Sequence, residues 1–301
     1  MSQLGFIEAL QHLRTPPLDL LLGAVTMLGD ERVVVAGAGL LYLCVQRRLG
    51  LRALALFFVS AIVNEAAKLW AATPRPFVVG APHIVPGFAW TGEGWAFPSG
   101  HSQTVFALGM YLALSLRQRR WWLLAAAVWV LVPFSRMYLG LHWPVDVLGG
   151  AAIGSILGAG MHLLTPAGRA PEPRPWPGYV LLALPALGLA LGAAGPDGPS
   201  TTVRAGGGLA ALLLGYTVLM EWLGGYEPPG TTGARLARGL LGVAGTGVVA
   251  GALEAALPHT MLGCLVAAAL PILCLALVWP YALQRLVPGG DGPGARPDLE
   301  P

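Results

Sequence analysis

Apolar runs separated by short loops dominate this chain and restrict what it can become. They fall at 31–46, 52–71, 101–117, 121–136, 143–164, 178–195, 203–223, 236–257 and 260–284. A helix needs about 20 apolar residues to cross a bilayer, and backbone polar groups inside hydrocarbon must pair within the helix or a closed barrel. The runs are rich in Leu, Ala and Gly and lack the alternation of barrel strands, so the pattern predicts an all-α, polytopic membrane helix bundle of nine crossings. Charged residues are only 11% of the 301, against about 25% in soluble domains. That excludes an ordinary globular core.

Residues 16–29 are apolar but short, which predicts an interfacial or re-entrant segment. Residues 1–14, with Glu8, His12 and Arg14, read as an amphipathic helix on the membrane surface rather than a cleavable signal peptide. A Pro-rich connector at 166–177 separates a first half, 1–165, from a four-helix region at 178–286. The tail at 287–301 is expected to be disordered.

Basic residues in short loops set the orientation. Twelve of the eighteen Lys and Arg residues follow odd-numbered crossings, from Arg47, Arg48 and Arg52 to Arg285 and Arg296, which makes that side cytoplasmic. The remaining six are Arg14, Arg32, Lys68, Arg75, Arg136 and Arg204. Positive charge on the disfavoured side calls for a reason, and anion binding supplies one. Cys44, Cys264 and Cys274 sit in apolar runs without zinc or disulfide spacing,.

Three segments on that external side carry chemistry. Lys68 is followed by Thr73-Pro74-Arg75-Pro76, where the prolines must end the helix and leave Arg75 on a stiff turn. Pro98-Ser99-Gly100-His101 precedes an apolar run, so Ser99 and Gly100 open a helix whose free N–H groups can hold an anion. In Ser135-Arg136 through His142 to Asp146, a helix starting at His142 would put Asp146 on the same face, within reach of an imidazole N–H. The planar guanidinium of Arg136 suits a phosphate. Taken singly, each piece also fits a structural role: Lys68 and Arg75 as interfacial anchors, Pro98-Ser99-Gly100 as an ordinary helix start, and His101 and His142 as satisfied histidines.

Together the three spacings resemble the complete signature of the type 2 phosphatidic acid phosphatase superfamily, over roughly residues 1–165. The resemblance implies that His142 attacks phosphorus and becomes a phosphohistidine, that Asp146 orients it, and that His101 protonates the leaving oxygen and then activates water. It also implies that Lys68, Arg75, Arg136, Ser99 and Gly100 hold the phosphate. No metal and no cofactor are expected, and the acidic side chains near the motifs are too few for a two-metal site.

The implied function is an integral membrane phosphatase of the cell inner (plasma) membrane, active toward the periplasm or exterior. Its substrate would be a polyprenyl diphosphate, phosphatidylglycerophosphate or phosphatidate. The expected partners are membrane lipids and a phosphorylated lipid substrate, with no nucleic acid. Gly and Ala richness in the second half leaves a homo-oligomer open. A phosphotransferase with the same intermediate is one alternative. Others are a phosphatase for a water-soluble ester and a phosphate-binding transporter or flippase, though a transporter has no need of the His142–Asp146 pair.

Among the other polar residues, Glu65 is expected to be a structural partner for Lys68 or Arg75. Glu254 is expected to make a local surface contact, with no second ionisable group at suitable spacing. The Trp residues, Trp143 included, fit an aromatic belt.

Overall fold

The computed structural model describes residues 2–80, 82–92, 94–165, 186–188, 190, 201–228 and 231–287. Its helices are α1 (Gln3–Gln11), α2 (Pro16–Thr26), α3 (Glu31–Leu40), α4 (Arg47–Ala71), α5 (Pro76–Val79) and α6 (Gly100–Leu116). They continue with α7 (Arg119–Tyr138), α8 (Pro144–Leu164), α9 (Thr201–Glu221), α10 (Thr232–Ala256), α11 (Met261–Leu273) and α12 (Trp279–Leu286). A π turn at Leu41–Val45 prolongs α3, and another at Cys274–Val278 joins α11 to α12. The described residues form no strand.

Among the described residues, six helical stretches are long and apolar enough to cross a membrane: Arg47–Val79, Arg119–Tyr138, Pro144–Leu164, Thr202–Glu221, Thr232–Ala256 and Met261–Leu286. The described residues thus account for six of the nine expected crossings. The predicted crossing at 31–46 forms a ten-residue helix and a five-residue π turn. The one at 101–117 forms the 17-residue α6. At about 1.5 Å per residue neither reaches the roughly 30 Å of a hydrocarbon core. The run at 178–195 falls outside the described residues apart from 186–188 and 190, as do the connector at 166–177 and residues 288–301 of the tail.

Glycine brings the two central helices of the first half together. Gly150, Gly154 and Gly158 recur every fourth residue along α8. A methyl added to them would fall 2.5 Å from Ser99 O, 2.2 Å from Gln103 O and 2.3 Å from Ala107 O of α6. Apolar burial gives little net attraction between helices in lipid, so such close backbone packing is what holds them.

The second half packs onto the first. One apolar cluster includes Leu54 and Phe58 of α4, Leu209 and Leu212 of α9, and Leu275 beyond α11. Away from the motifs, buried Arg47 donates to Tyr226 O at 2.6 Å and pairs with Glu227 at 3.0 Å. Tyr42 donates to Ala276 O at 3.0 Å and Tyr226 to Leu43 O at 2.6 Å. These satisfied polar groups fix how the halves meet.

The first helix does more than lie on a surface. Ile7 and Leu10 of α1 are buried beside Ile84 and pack against Met137 and Trp143. Gln11 donates to Tyr138 O at 3.0 Å, and Arg14 pairs with Asp19 at 2.7 Å and donates to Val85 O. The amphipathic pattern therefore serves packing over the third motif.

Candidate active site

The turn after α4 forms as its prolines dictate. Pro74 and Pro76 lack the N–H that a helix needs, so α4 closes at Ala71. Ala72, in the left-handed region at φ 43°, donates its N–H to Lys68 O at 2.9 Å. Pro76 then opens α5, leaving Arg75 extended between them. The Arg75 guanidinium turns inward, donating to Gly94 O at 2.9 Å, Trp95 O at 3.2 Å and Leu141 O at 2.9 Å. Its Nη1 also lies 3.1 Å from His142 Nε2.

Ser99 is the N-cap of α6, with Gly100 as its first residue. The segment is anchored on both flanks. Ser99 N–H donates to Asp146 O at 3.0 Å, joining the start of α6 to that of α8. From α4, Asn64 donates to Pro98 O at 3.3 Å and Gln103 Oε1 at 2.9 Å, while Gln103 donates to Ser60 O at 2.8 Å. Asn64 and Gln103 lie outside the three motifs. Their signal was one of polar residues in an apolar run, and an intramembrane amide needs a partner.

The third motif meets its expected geometry by another route. His142 is not helical: α8 starts at Pro144, with Trp143 extended as its N-cap, because a residue before proline is pushed out of the helical region. Asp146 instead occupies the third helical position and accepts from Trp143 N–H at 2.7 Å in a capping box,. That brings Asp146 Oδ2 to 3.4 Å from His142 Nδ1, within ion-pair range but off line for a hydrogen bond. Trp143 Nε1 donates to Pro74 O at 2.9 Å, so this tryptophan ties the first motif to the third.

A cavity of about 800 Å³ opens at this junction, lined by Lys68, Arg75, Gly100, His101 and His142 among others. Three predicted site residues lie behind its wall. Ser99 is fully buried, and its hydroxyl accepts from Ser102 Oγ at 3.1 Å. Asp146 is buried beneath His142. Arg136 is also buried, held by Thr91 Oγ1 at 2.7 Å, Thr91 O at 2.8 Å and Thr26 Oγ1 at 3.2 Å. Lys68 pairs with Glu65 at 3.6 Å, the partner expected from spacing.

Around His142 the charge is positive: Lys68 and Arg75 line the cavity there and Arg136 lies behind its wall, while Asp30, Glu31, Glu65 and Glu254 line it too. His142, in the loop between α7 and α8, is held well below the ordinary histidine value by burial, reinforced by Arg75, Arg136 and Lys68,. It is therefore neutral near pH 7. His101 Nε2 and Arg136 Nε are buried with no hydrogen-bond partner among the described residues. Such groups are costly unless something fills their valence; His101 lines the cavity, where a bound group can reach it, whereas Arg136 Nε stays behind the wall.

The second half also reaches this hollow. Arg204, Glu254, His259 and Cys264 line the same cavity. Glu254 accepts from Arg204 at 2.9 Å and lies 3.8 Å from Arg32. That corrects the expectation that Glu254 has no ionisable partner: its partners lie at remote positions in the chain and meet it only on folding.

Both halves of the chain resemble known proteins. Residues 49–169 match the family model described as PAP2 superfamily, and residues 203–290 match PAP2 superfamily phosphatase, transmembrane extension. Phosphatidylglycerophosphatase B of Bacillus subtilis is 29% identical over 161 residues, 48% of this chain and 74% of that protein. An undecaprenyl-diphosphatase of Sulfolobus acidocaldarius is 32% identical over 111 residues, 36% of this chain; the match spans only about half, 52%, of that relative. The crystal structure of a transmembrane PAP2 type phosphatidylglycerolphosphate phosphatase from Bacillus subtilis aligns with a TM-score of 0.46 and 26% identity, covering 56% of this chain and 87% of the other. This chain belongs to the PAP2 superfamily and carries that superfamily's phosphatase transmembrane extension.

Proposed function

We propose that this protein is a multi-pass membrane phosphatase that hydrolyses a lipid phosphate or diphosphate through a phosphohistidine at His142, acting at the external leaflet. One observation carries the reading: His142 faces a cavity with Nε2 beside Arg75 and with Lys68 on the same lining, and Asp146 stands behind its other ring nitrogen. The Nε2 lone pair attacks phosphorus while the bond to the leaving oxygen breaks, its electron pair going to that oxygen with a proton from His101. Water then attacks the phosphohistidine, giving a proton to His101 and releasing phosphate and a regenerated His142. Positive charge on the imidazole is offset by Asp146. Lys68, Arg75 and the Gly100 N–H hold the phosphoryl oxygens, with Arg136 adding its charge from behind the wall. The chemistry needs no metal in this scheme.

The substrate class rests on the membrane setting and on relatives named for phosphatidylglycerophosphate and undecaprenyl diphosphate. The excess of arginine in loops remote from the motifs supports an external site. Phosphate release by wild type and His142→Ala, in detergent with EDTA, tests the reading across polyprenyl diphosphate, phosphatidylglycerophosphate, phosphatidate and glucose 6-phosphate. Release from a lipid that the mutant loses is expected. Undiminished release by a clean His142→Ala preparation would overturn the assignment.

A further inference from the structure

A second cavity, of about 420 Å³, opens between α3, α4 and the extension helices α9 to α11. Its walls are apolar, formed by Val35, Phe58, Val243, Ala250, Ala267 and Leu275 among others. Glu31, Arg32, Phe57, Ala61, Arg204 and Glu254 line both this cavity and the one holding His142, so the two hollows are neighbours across a shared wall. Helix α4 runs along both. Phe57, Ala61, Asn64, Glu65 and Lys68 follow one another at helical spacing, and all five line the cavity that holds His142. The eleven helical steps from Phe57 to Lys68 span about 16 Å. A molecule lying along this face would meet hydrocarbon at one end and cationic phosphate ligands at the other.

We propose that the extension completes the substrate site, and that the hydrocarbon chain of the phosphorylated lipid occupies the apolar cavity between α4 and α9 to α11. The inference rests on the lipid phosphatase reading and gives the extension a role in it. The shared wall selects the occupant: an amphiphile with its phosphate at His142 and its tail laid past Arg204 and Glu254 reaches Phe57 and Ala61, which line both hollows. The Arg204–Glu254 pair stands at the threshold, where a lipid's polar linkage passes into its hydrocarbon.

Gly247 and Gly251 of α10 line the apolar cavity, and a methyl added to either meets nothing within 4 Å. Phenylalanine there is accommodated by filling the hollow. The test is the ratio of kcat/KM for long-chain to short-chain substrates in Gly247→Phe and Gly251→Phe. Suitable pairs are dioleoyl with dihexanoyl phosphatidate, and farnesyl with dimethylallyl diphosphate. Because both substrates see the same active fraction, partial misfolding cancels. The ratio is expected to fall about tenfold or more, the scale of lost hydrocarbon contacts in a pocket.

A second arm photolabels the wild-type protein with a phosphatidate bearing a diazirine at its tail, and label is expected within residues 201–278. A ratio unchanged in both variants, or label absent from those residues, overturns the proposal. A wild-type protein releasing phosphate from none of these substrates overturns the phosphatase reading instead, and the labelling arm alone then decides the tail site.

Discussion

Arg75 Nη1 lies 3.1 Å from His142 Nε2 in a site where both side chains are buried. A guanidinium can only donate, so the imidazole nitrogen facing it must accept. The proton of neutral His142 therefore sits on Nδ1, the nitrogen turned toward Asp146. Arg75 selects the tautomer that places a lone pair on the cavity side. The same guanidinium covers that lone pair, and in the proposed mechanism an incoming phosphoryl oxygen draws it away.

The pH dependence follows from the same surroundings. His142 is held well below the ordinary value of 6.5, first by burial and then by Arg75. Its folded pKa is depressed, so the unfolded chain binds the extra proton first. Stability is complete above about pH 6.5 and declines as pH falls from there toward the folded value. For catalysis, the acid limb of kcat/KM, corrected for the substrate's own ionisation, is expected below pH 6.5. A limb at or above pH 6.5 would contradict a neutral nucleophile.

Asp146 serves two purposes that substitution separates. It caps α8 through Trp143 N–H at 2.7 Å and backs His142 Nδ1 at 3.4 Å. Asparagine keeps an oxygen for the cap but removes the charge that offsets the imidazolium. Asp146→Asn is expected to lower kcat by about 10²- to 10⁴-fold with little change in Tm. Asp146→Ala also loses the cap, at a further cost of about 1 kcal/mol. Equal kcat in wild type and Asp146→Asn would remove Asp146 from the mechanism.

The contact of α6 with α8 sets the position of His101 relative to His142, and glycine makes it possible. At Gly154 an added methyl would stand 2.2 Å from Gln103 O, a backbone atom that cannot rotate away. Gly154→Val is expected to cost about 1–3 kcal/mol of stability and to reduce activity with it. At Gly160, on the same helix, an added methyl meets nothing within 4 Å, and Gly160→Ala is expected to be neutral or stabilising by about 0.5–1 kcal/mol. Thermal unfolding in detergent checks both, and an unchanged Tm in Gly154→Val would contradict the packing.

Much of this site was legible in the sequence because its local rules are strong. Proline ends α4 and opens α5 and α8, and Ser99 caps α6. These positions follow from missing donors and side-chain oxygens, which no tertiary context removes. What escaped was long-range. The Arg204–Glu254 pair spans fifty residues, and the alignment of α4 with α6 through Asn64 and Gln103 joins residues 39 apart. Burial of Ser99 and Arg136 behind the cavity wall depends on which helix face meets α8 or Thr91, and spacing alone does not specify that. The runs at 31–46 and 101–117 read as full spans because apolar composition does not reveal where a helix ends.

The most direct test of the central claim is to quench the enzyme during turnover of a radiolabelled lipid phosphate and look for phosphoprotein. The account predicts a label stable in base and lost in acid, carried on a peptide containing His142 and absent from His142→Ala, while His101→Ala accumulates it with good leaving groups. Turnover without any trapped label, or a label on another residue, would contradict it.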